Sequence, residues 1–530
     1  MLCLNIKNIV FNILQLLLKF AIWTPRISFK INILLAGVLL WKRDLHEVLK
    51  SVNMLVDKYG TKFPPKHFIW KNQRICRYYG GVLYSSALFA YNYRTSHPEV
   101  VFKTPSWATV SVFFMDAAEN GIKMNKKMLM QLTHSHLYWA EELKNKKDND
   151  GVLSAVKNIL RAHGIDSADI FITNFLVNLE SYLLHKKSGS EVLDKFKIDI
   201  EVHNPIYSSE TWMCLYNILI FNGLLQSGFV ARNKAIDQVF AEAESEPENP
   251  VYNERALFAA FEIADFSLAK KLLKRLEKII LLKKYQDLQA YFFLLTGDIN
   301  NARKLWEKSL TKSDKIFADY FRNKKVAIVG PAPTGLSTGS EIDSCDIVIR
   351  MNYMGGDVRL SQNEFGAKTN VTLYAATFLK MKKEQPKQFV KDLDYYFVKH
   401  PFSGFVNIDV KQRKAKVLIK NKMFFNKKPN AIPCIVYDIL HYETSKIKIF
   451  HSNFFLSEKP YHKNYPGIIL DEKTPKFPNA LPLLTYHDLI SQISFIRNLW
   501  KMGLIEVDEN CADILSMSND KYMEGMEKLF

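Results

Sequence analysis

Lys325-Val326-Ala327-Ile328-Val329-Gly330 and the loop Pro331-Ala332-Pro333-Thr334-Gly335-Leu336-Ser337-Thr338-Gly339 decide the reading of this chain. Four uninterrupted apolar residues, Val326 to Val329, are the pattern of a strand buried on both faces. The run stops at a glycine and opens into small residues whose backbone N–H groups stand free. Glu341-Ile342-Asp343-Ser344-Cys345-Asp346 follows, and then a second apolar run, Ile347-Val348-Ile349-Arg350-Met351-Asn352. Strand, glycine loop, short helix and strand in that order predict an α/β domain, Rossmann-like, with a mainly parallel sheet over 324–530. Ligands of such sheets bind at the C-terminal ends of the strands. The spacing of Gly330, Gly335 and Gly339 is not GxGxxG, and no Gly-Lys-Ser/Thr follows, so the loop is neither a dinucleotide fingerprint nor a Walker A loop. A dinucleotide-binding oxidoreductase therefore remains only as an alternative.

Before Lys324 the text is helical. Apolar residues recur at helical spacing in Leu45–Val56, Met128–Leu143 and Val152–His163, so 44–204 reads as an all-α domain. Across 205–313 two segments answer each other at an offset of 33 residues. Ala264-Asp265-Phe266-Ser267-Leu268-Ala269 matches Gly297-Asp298-Ile299-Asn300-Asn301-Ala302, each after an apolar helix. The period resembles tetratricopeptide repeats. A weaker copy runs from Trp212 to Glu244, with Gly228 expected at its turn and Ala235 in its second helix. Stacked helix pairs of this kind offer a curved surface for a protein partner. A plain bundle supporting the next domain fits the same residues.

The 530 residues hold 72 Lys and Arg against 54 Asp and Glu, a net charge of +18. An anionic partner, either a phosphorylated metabolite or an acidic membrane, suits that surplus, and so does a Lys-rich solvated surface. Nucleic acid does not, because no reader motif accompanies the charge. The six cysteines include no CxxC pair, which excludes a zinc ribbon or a thioredoxin-type site and makes a reducing cytoplasm the expected compartment. Residues 1–43 are basic, apolar and free of acidic side chains. The segment suits a helix lying on the inner face of an anionic membrane, or a pair of buried helices. Lys411–Lys428 is a second basic run, for an anionic acceptor or a solvated loop.

The stretch from Val329 to Thr369 resembles the large sialyl motif of glycosyltransferase family 29, the sialyltransferases. The residues that carry the likeness are Val329-Gly330, Ile342-Asp343-Ser344, Asp346, Arg350-Met351-Asn352 and Gly366-Ala367-Lys368-Thr369. Pro433–Tyr442, which reads as a helix, and the following Lys446-Ile447-Lys448-Ile449-Phe450-His451-Ser452-Asn453-Phe454-Phe455 are similar to the small sialyl motif. Tyr486-His487-Asp488 is similar to the start of the last motif, His-x-x-x-x-Glu, with Gln492 in the glutamate position. The likeness departs at Gly330-Pro331-Ala332-Pro333, where the family has Gly-Asn-Ser-Gly. It departs again at Pro433-Cys434-Ile435-Val436, and at His451 in place of the Gly of Tyr-Gly-Phe. The cysteine that opens the large motif in secreted relatives is absent, which agrees with a cytoplasmic, bacterial-type enzyme.

The resemblance implies a GT-A-variant sheet domain and an inverting, metal-independent glycosyltransferase. Its donor would be a CMP-activated acidic sugar, sialic acid or Kdo (3-deoxy-manno-octulosonate), and its acceptor a glycan of surface polysaccharide or lipid-linked type. No cofactor is implied. Such a reaction needs a base for the acceptor hydroxyl, and a histidine near neutral pKa is suited to it. The resemblance assigns that role to His487. By position at the strand ends, where such sheets bind ligands, Asn352 is expected to hydrogen-bond the nucleotide, Gly330, Thr334 and Gly335 to line its phosphate or ribose, and His451 and His462 to reach the leaving phosphate; ordinary turn, core or surface residues fit the same positions. The triplet Asp392-Leu393-Asp394 has the form of a metal-diphosphate site but arises easily by chance. A non-catalytic repeat scaffold with a degenerate sugar-nucleotide domain is the competing reading.

Overall fold

The computed structural model describes most of residues 107–353, then 361–374, 390–399, 415–418, 422–426, 429–458 and 487–530, with shorter stretches between. The segment 1–43, the start of the 44–204 region and half of the Lys411–Lys428 run lie outside the described residues. The chain divides after Pro205 into two compact units.

Among the described residues of the first unit, these helices follow one another: α1 (Trp107–Glu119), α2 (Lys126–Asn145), α3 (Asn149–Ala162), α4 (Ile170–Leu183) and α5 (Gly189–His203). Helices α2 and α3 lie where the apolar spacing places them. Their starts are written in the sequence. Asp148 and Asp169 cap α3 and α4, and Ser188 with Glu191 forms a capping box on α5.

The second unit opens with helices α6 (Ser209–Phe221), α7 (Leu225–Ser245), α8 (Pro250–Glu262), α9 (Phe266–Leu276), α10 (Leu282–Leu295), α11 (Ile299–Glu307) and α12 (Lys312–Phe321). The 33-residue offset corresponds to the helix pairs α8–α9 and α10–α11. Asp265 and Asp298 cap the second helix of each pair, and Ala269 and Ala302 are fully buried. Gly228 is not at a turn but inside α7. A Cβ there would lie 2.8 Å from Ile220 Cδ1, so the glycine lets α6 and α7 approach, and the turn falls at Asn222–Leu224 instead.

These helices lie against the sheet domain that follows. Tyr291 of α10 donates to the Met423 carbonyl (2.8 Å), and Arg303 of α11 donates to the carbonyls of Leu440 and Tyr442. Trp306 stacks on His441 with ring centres 3.7 Å apart. Lys416, from the basic run, is buried between Asp314 and Asp438, and Lys422 pairs with Glu254. These faces of the helical region are therefore occupied within the chain, and so is part of the basic run.

The α/β part holds β1 (Lys325–Val329), α13 (Gly339–Ser344), β2 (Ile347–Met351), the single turn α14 (Gln362–Phe365), β3 (Val371–Tyr374), β4 (Tyr395–Val398), β5 (Ala415–Val417), α15 (Ala431–Leu440), β6 (Lys446–Phe450), α16 (Leu489–Lys501), β7 (Glu506–Val507), α17 (Glu509–Ser516) and α18 (Asn519–Glu527). Among the described residues seven strands run in the order β5-β4-β3-β2-β1-β6-β7, and all their pairs are parallel. Val326–Val329, Ile347–Arg350 and Val371–Tyr374 are buried throughout, as strands covered on both faces must be. From β1 the chain winds outward through β2 to β5. It then returns past β1 to add β6, in register Lys325↔Lys446 to Val329↔Phe450. The winding reverses between β1 and β6, and a crevice opens beyond the strand ends at such a reversal.

Candidate functional site

At the reversal β1 and β6 are drawn together past their last residues. Gly330 N–H donates to the Phe450 carbonyl (2.7 Å) and Ala332 N–H to the His451 carbonyl (3.0 Å). A Cβ on Gly330 would stand 2.3 Å from the His451 oxygen. Glycine is required there by the approach of another backbone, which is a stronger reason than an ordinary turn.

His451 braces the loop that follows. Its side chain is fully buried, and its backbone is left-handed, with φ 53. Nε2–H donates to the Glu364 carbonyl (2.8 Å) and lies 2.8 Å from Thr338 Oγ1, so Nδ1 accepts from the Thr334 hydroxyl (2.6 Å). Burial lowers the His451 pKa, in the direction of the neutral ring that this bonding uses. Both ring nitrogens are thus engaged within the protein. The Glu364 side chain completes the brace, because its Oε1 accepts the N–H groups of Thr334 and Gly335, each at 2.9 Å.

His462 adds its N–H to the Pro331 carbonyl (2.7 Å). Burial, with Arg350 and His451 nearby, pushes its pKa down to about 4. Tyr465 N–H donates to the His462 carbonyl, and the Tyr465 hydroxyl accepts from Asn352 Nδ2 (3.0 Å). Asn352 directly follows β2 with φ 55, a conformation that asparagine tolerates better than most residues. Gly330, Thr334, Gly335, Asn352, His451 and His462 therefore fall into one bonded network at the reversal.

The other residues of the long motif hold its frame. The Asp343 carboxylate accepts the N–H groups of Ala367 and Lys368, and Lys368 Nζ donates to the Cys345 carbonyl. Arg350 is buried and donates to the carbonyls of Lys368 and Phe365 and to the Thr369 hydroxyl. Burial lowers its pKa to about 10. The spacing from Ile342-Asp343-Ser344 to Gly366-Ala367-Lys368-Thr369 is thus the length of chain needed to close this clasp.

Residues 269–468 match the model of glycosyltransferase family 29 (sialyltransferase). Over these residues the chain is similar to a sialyltransferase-like glycosyltransferase domain. The family implies a CMP-sugar donor and a glycan acceptor. The match begins inside α9, well before the change of text at Lys324, so the family 29 region includes helices that pack on the sheet. No curated protein matches the chain.

His487 lies beyond the matched residues. It is half-buried and directly precedes Asp488, the N-cap of α16. Helix α16 ends a few residues before β7 begins, so it runs back against the strand direction and starts on the edge where Gly330 and Asn352 lie. Gln492 Oε1 accepts the Asn430 N–H at the start of α15 (3.0 Å), which ties together the two helices that begin on that edge.

Asp392 and Asp394 fall at the opposite end of the sheet, before β4, where Asp394 accepts from Tyr320 and Asn370. Among the described residues no group of three or more His, Cys, Asp or Glu is arranged to hold a metal, and no helix is long and apolar enough to cross a membrane. Sequence reasoning missed Glu364, Thr338 and Tyr465. Glu364 lies inside the quoted motif, two residues before Gly366, and that position was its only signal.

Proposed function

We propose that the family 29 domain moves an acidic sugar, sialic acid or Kdo, from its CMP conjugate to a glycan hydroxyl, with inversion and without a metal. The observation that supports this best is the bonded network at the β1–β6 reversal, within residues that match the family. In this reading Gly330, Thr334, Gly335 and Asn352 line the nucleotide, and His462 stands by the leaving phosphate. His451 shapes the loop, since its ring nitrogens are already engaged. His487 takes the acceptor proton as the bond forms. The acceptor is a surface polysaccharide or lipid-linked glycan, reached from the inner face of the cytoplasmic membrane, as the basic and acid-free 1–43 segment suggests.

The test is donor hydrolysis and transfer with CMP-sialic acid and CMP-Kdo side by side, with and without chelator. Turnover of one donor, unaffected by chelator, is the expected result. His487→Ala should lower turnover by about 10²–10⁴-fold and leave CMP binding nearly unchanged. The scaffold reading has one observation in its favour, because the Glu364 carboxylate already occupies two N–H groups of the glycine loop. CMP binding without turnover of either donor would support that reading.

A further inference from the structure

Arg232 of α7 is a fully buried charge away from the donor loop, with none of its side chain exposed. Its Nε donates to Glu262 Oε1 (2.8 Å) and its Nη2 to Glu262 Oε2 (2.6 Å), a two-pronged pair at the end of α8. The same Nη2 reaches the Asp488 carboxylate at 3.0 Å and Ser491 Oγ at 3.1 Å. The Ser491 hydroxyl donates in turn to Glu262. Asp488 also accepts the N–H groups of Asn426 and Ser491, each at 3.2 Å; burial works to raise its pKa, but attraction to Arg232 and these hydrogen bonds hold the carboxyl below the usual range. Tyr216 and Phe425 flank the guanidinium, each with its ring centre 5.4 Å away.

A buried cluster of one cation and two carboxylates is a poor source of stability, because apolar side chains of similar volume serve as well or better. What a guanidinium fork supplies is direction, since it fixes the planes of the groups it binds. Here the fixed group is the N-cap of α16, and the residue directly before that cap is His487. The Cα of His487 lies about 3.8 Å from that of Asp488. The cluster therefore acts at the one helix start that carries the candidate base, and it acts from helices of the repeat region.

We propose that Arg232 is a positioning residue, and that through Asp488 it holds the start of α16, and with it His487, in register with the sheet. This rests on the reading of His487 as the base. The role is distinct from donor binding, since no member of the cluster belongs to the network at the β1–β6 reversal.

The experiment uses the full chain. Arg232→Gln/Glu262→Gln removes one charge of each sign and keeps hydrogen-bonding groups in place. Arg232→Lys keeps the charge and loses the fork. Glu262→Gln leaves Arg232 paired with Asp488 and serves as the folded reference. For each variant kcat, donor KM, the Kd of CMP and amide hydrogen exchange across 487–492 are compared with the unmodified chain. The double variant should lose about 10–100-fold in kcat, the usual cost of a displaced catalytic group. Its KM and CMP Kd should stay within about two-fold, because a positioning role touches only the step in which the proton moves. Exchange at 487–492 should quicken. Arg232→Lys should recover part of kcat and of protection, and Glu262→Gln should stay nearest to the unmodified enzyme.

Unchanged kcat in a folded double variant overturns the proposal. So does a loss of CMP binding equal to the loss of kcat, which marks general damage. An unmodified chain inactive toward both CMP donors sinks the reading of His487 as a base. In that case the exchange arm still decides the clamp, and equal protection of 487–492 in all variants overturns it.

Discussion

Replacing Gly330 with Ala tests the close contact at the centre of the candidate site. The added methyl would sit 2.3 Å from the His451 oxygen and 2.9 Å from its carbonyl carbon. That is about 1 Å inside any ordinary contact, and both atoms are backbone, so no side chain can swing aside. Relief requires parting the ends of β1 and β6 by a similar distance. The Gly330–Phe450 and Ala332–His451 hydrogen bonds, at 2.7 and 3.0 Å, then stretch beyond bonding range. Each is worth about 0.5–1.5 kcal/mol net, so their loss is about 1–3 kcal/mol. Gly330 is not in the left-handed region, so alanine recovers up to about 1 kcal/mol through the unfolded chain. The net expectation is a destabilisation of about 1–2 kcal/mol, read as a lower melting temperature by calorimetry. The Kd of CMP measured by titration calorimetry should rise by at least about ten-fold, the equivalent of 1.4 kcal/mol. A Gly330→Ala chain that melts as before and binds CMP as before would refute the argument from close approach.

Other substitutions probe the frame around that contact. His451→Phe keeps the volume of the ring and removes its bonds to Thr334, Thr338 and Glu364, so melting temperature and CMP affinity should both fall, while His451→Gln should fall less in both. Lys416→Met leaves Asp438 buried without its cation and should cost about 3–5 kcal/mol in a denaturant titration, whereas Lys416→Met/Asp438→Leu should recover most of it. Acid should weaken the second unit, since burial lowers the His441 pKa from 6.5 to about 4 and the unfolded chain takes up the proton first. The stability tied to this ring is whole above about pH 6.5 and declines toward pH 4 by roughly 2–3 kcal/mol. Fluorescence of Trp306, stacked on it, should report the change, and His441→Phe should flatten that part of the profile.

The strands of the site were legible because burial on both faces leaves a continuous apolar run, as in Val326–Val329 and Ile347–Ile349. The loop was legible by its glycines, and Gly330 for a reason the text alone does not contain, since His451 arrives 121 residues later. Local rules misplaced Gly228, because glycine signals a turn in a sequence and a close helix contact leaves the same letter. Glu364 and Tyr465 carry no local pattern. Their roles exist only once the loop, α14 and the chain beyond β6 meet. Arg232 and Asp488 are 256 residues apart, and no periodicity links two residues so distant.

The central strand has a consequence for how this protein is made. As the chain leaves the ribosome, β1 can pair with β2 at once, but its other edge waits for β6. During that interval an apolar strand edge stands open, the kind of edge that recruits other chains. Arg232 and Glu262 are synthesised even earlier and lack Asp488 until nearly all of the chain has emerged. Nascent chains stalled between about residue 330 and residue 445 should therefore be the ones that chaperones hold and that aggregate when chaperones are scarce. Stalling beyond residue 490 should release them.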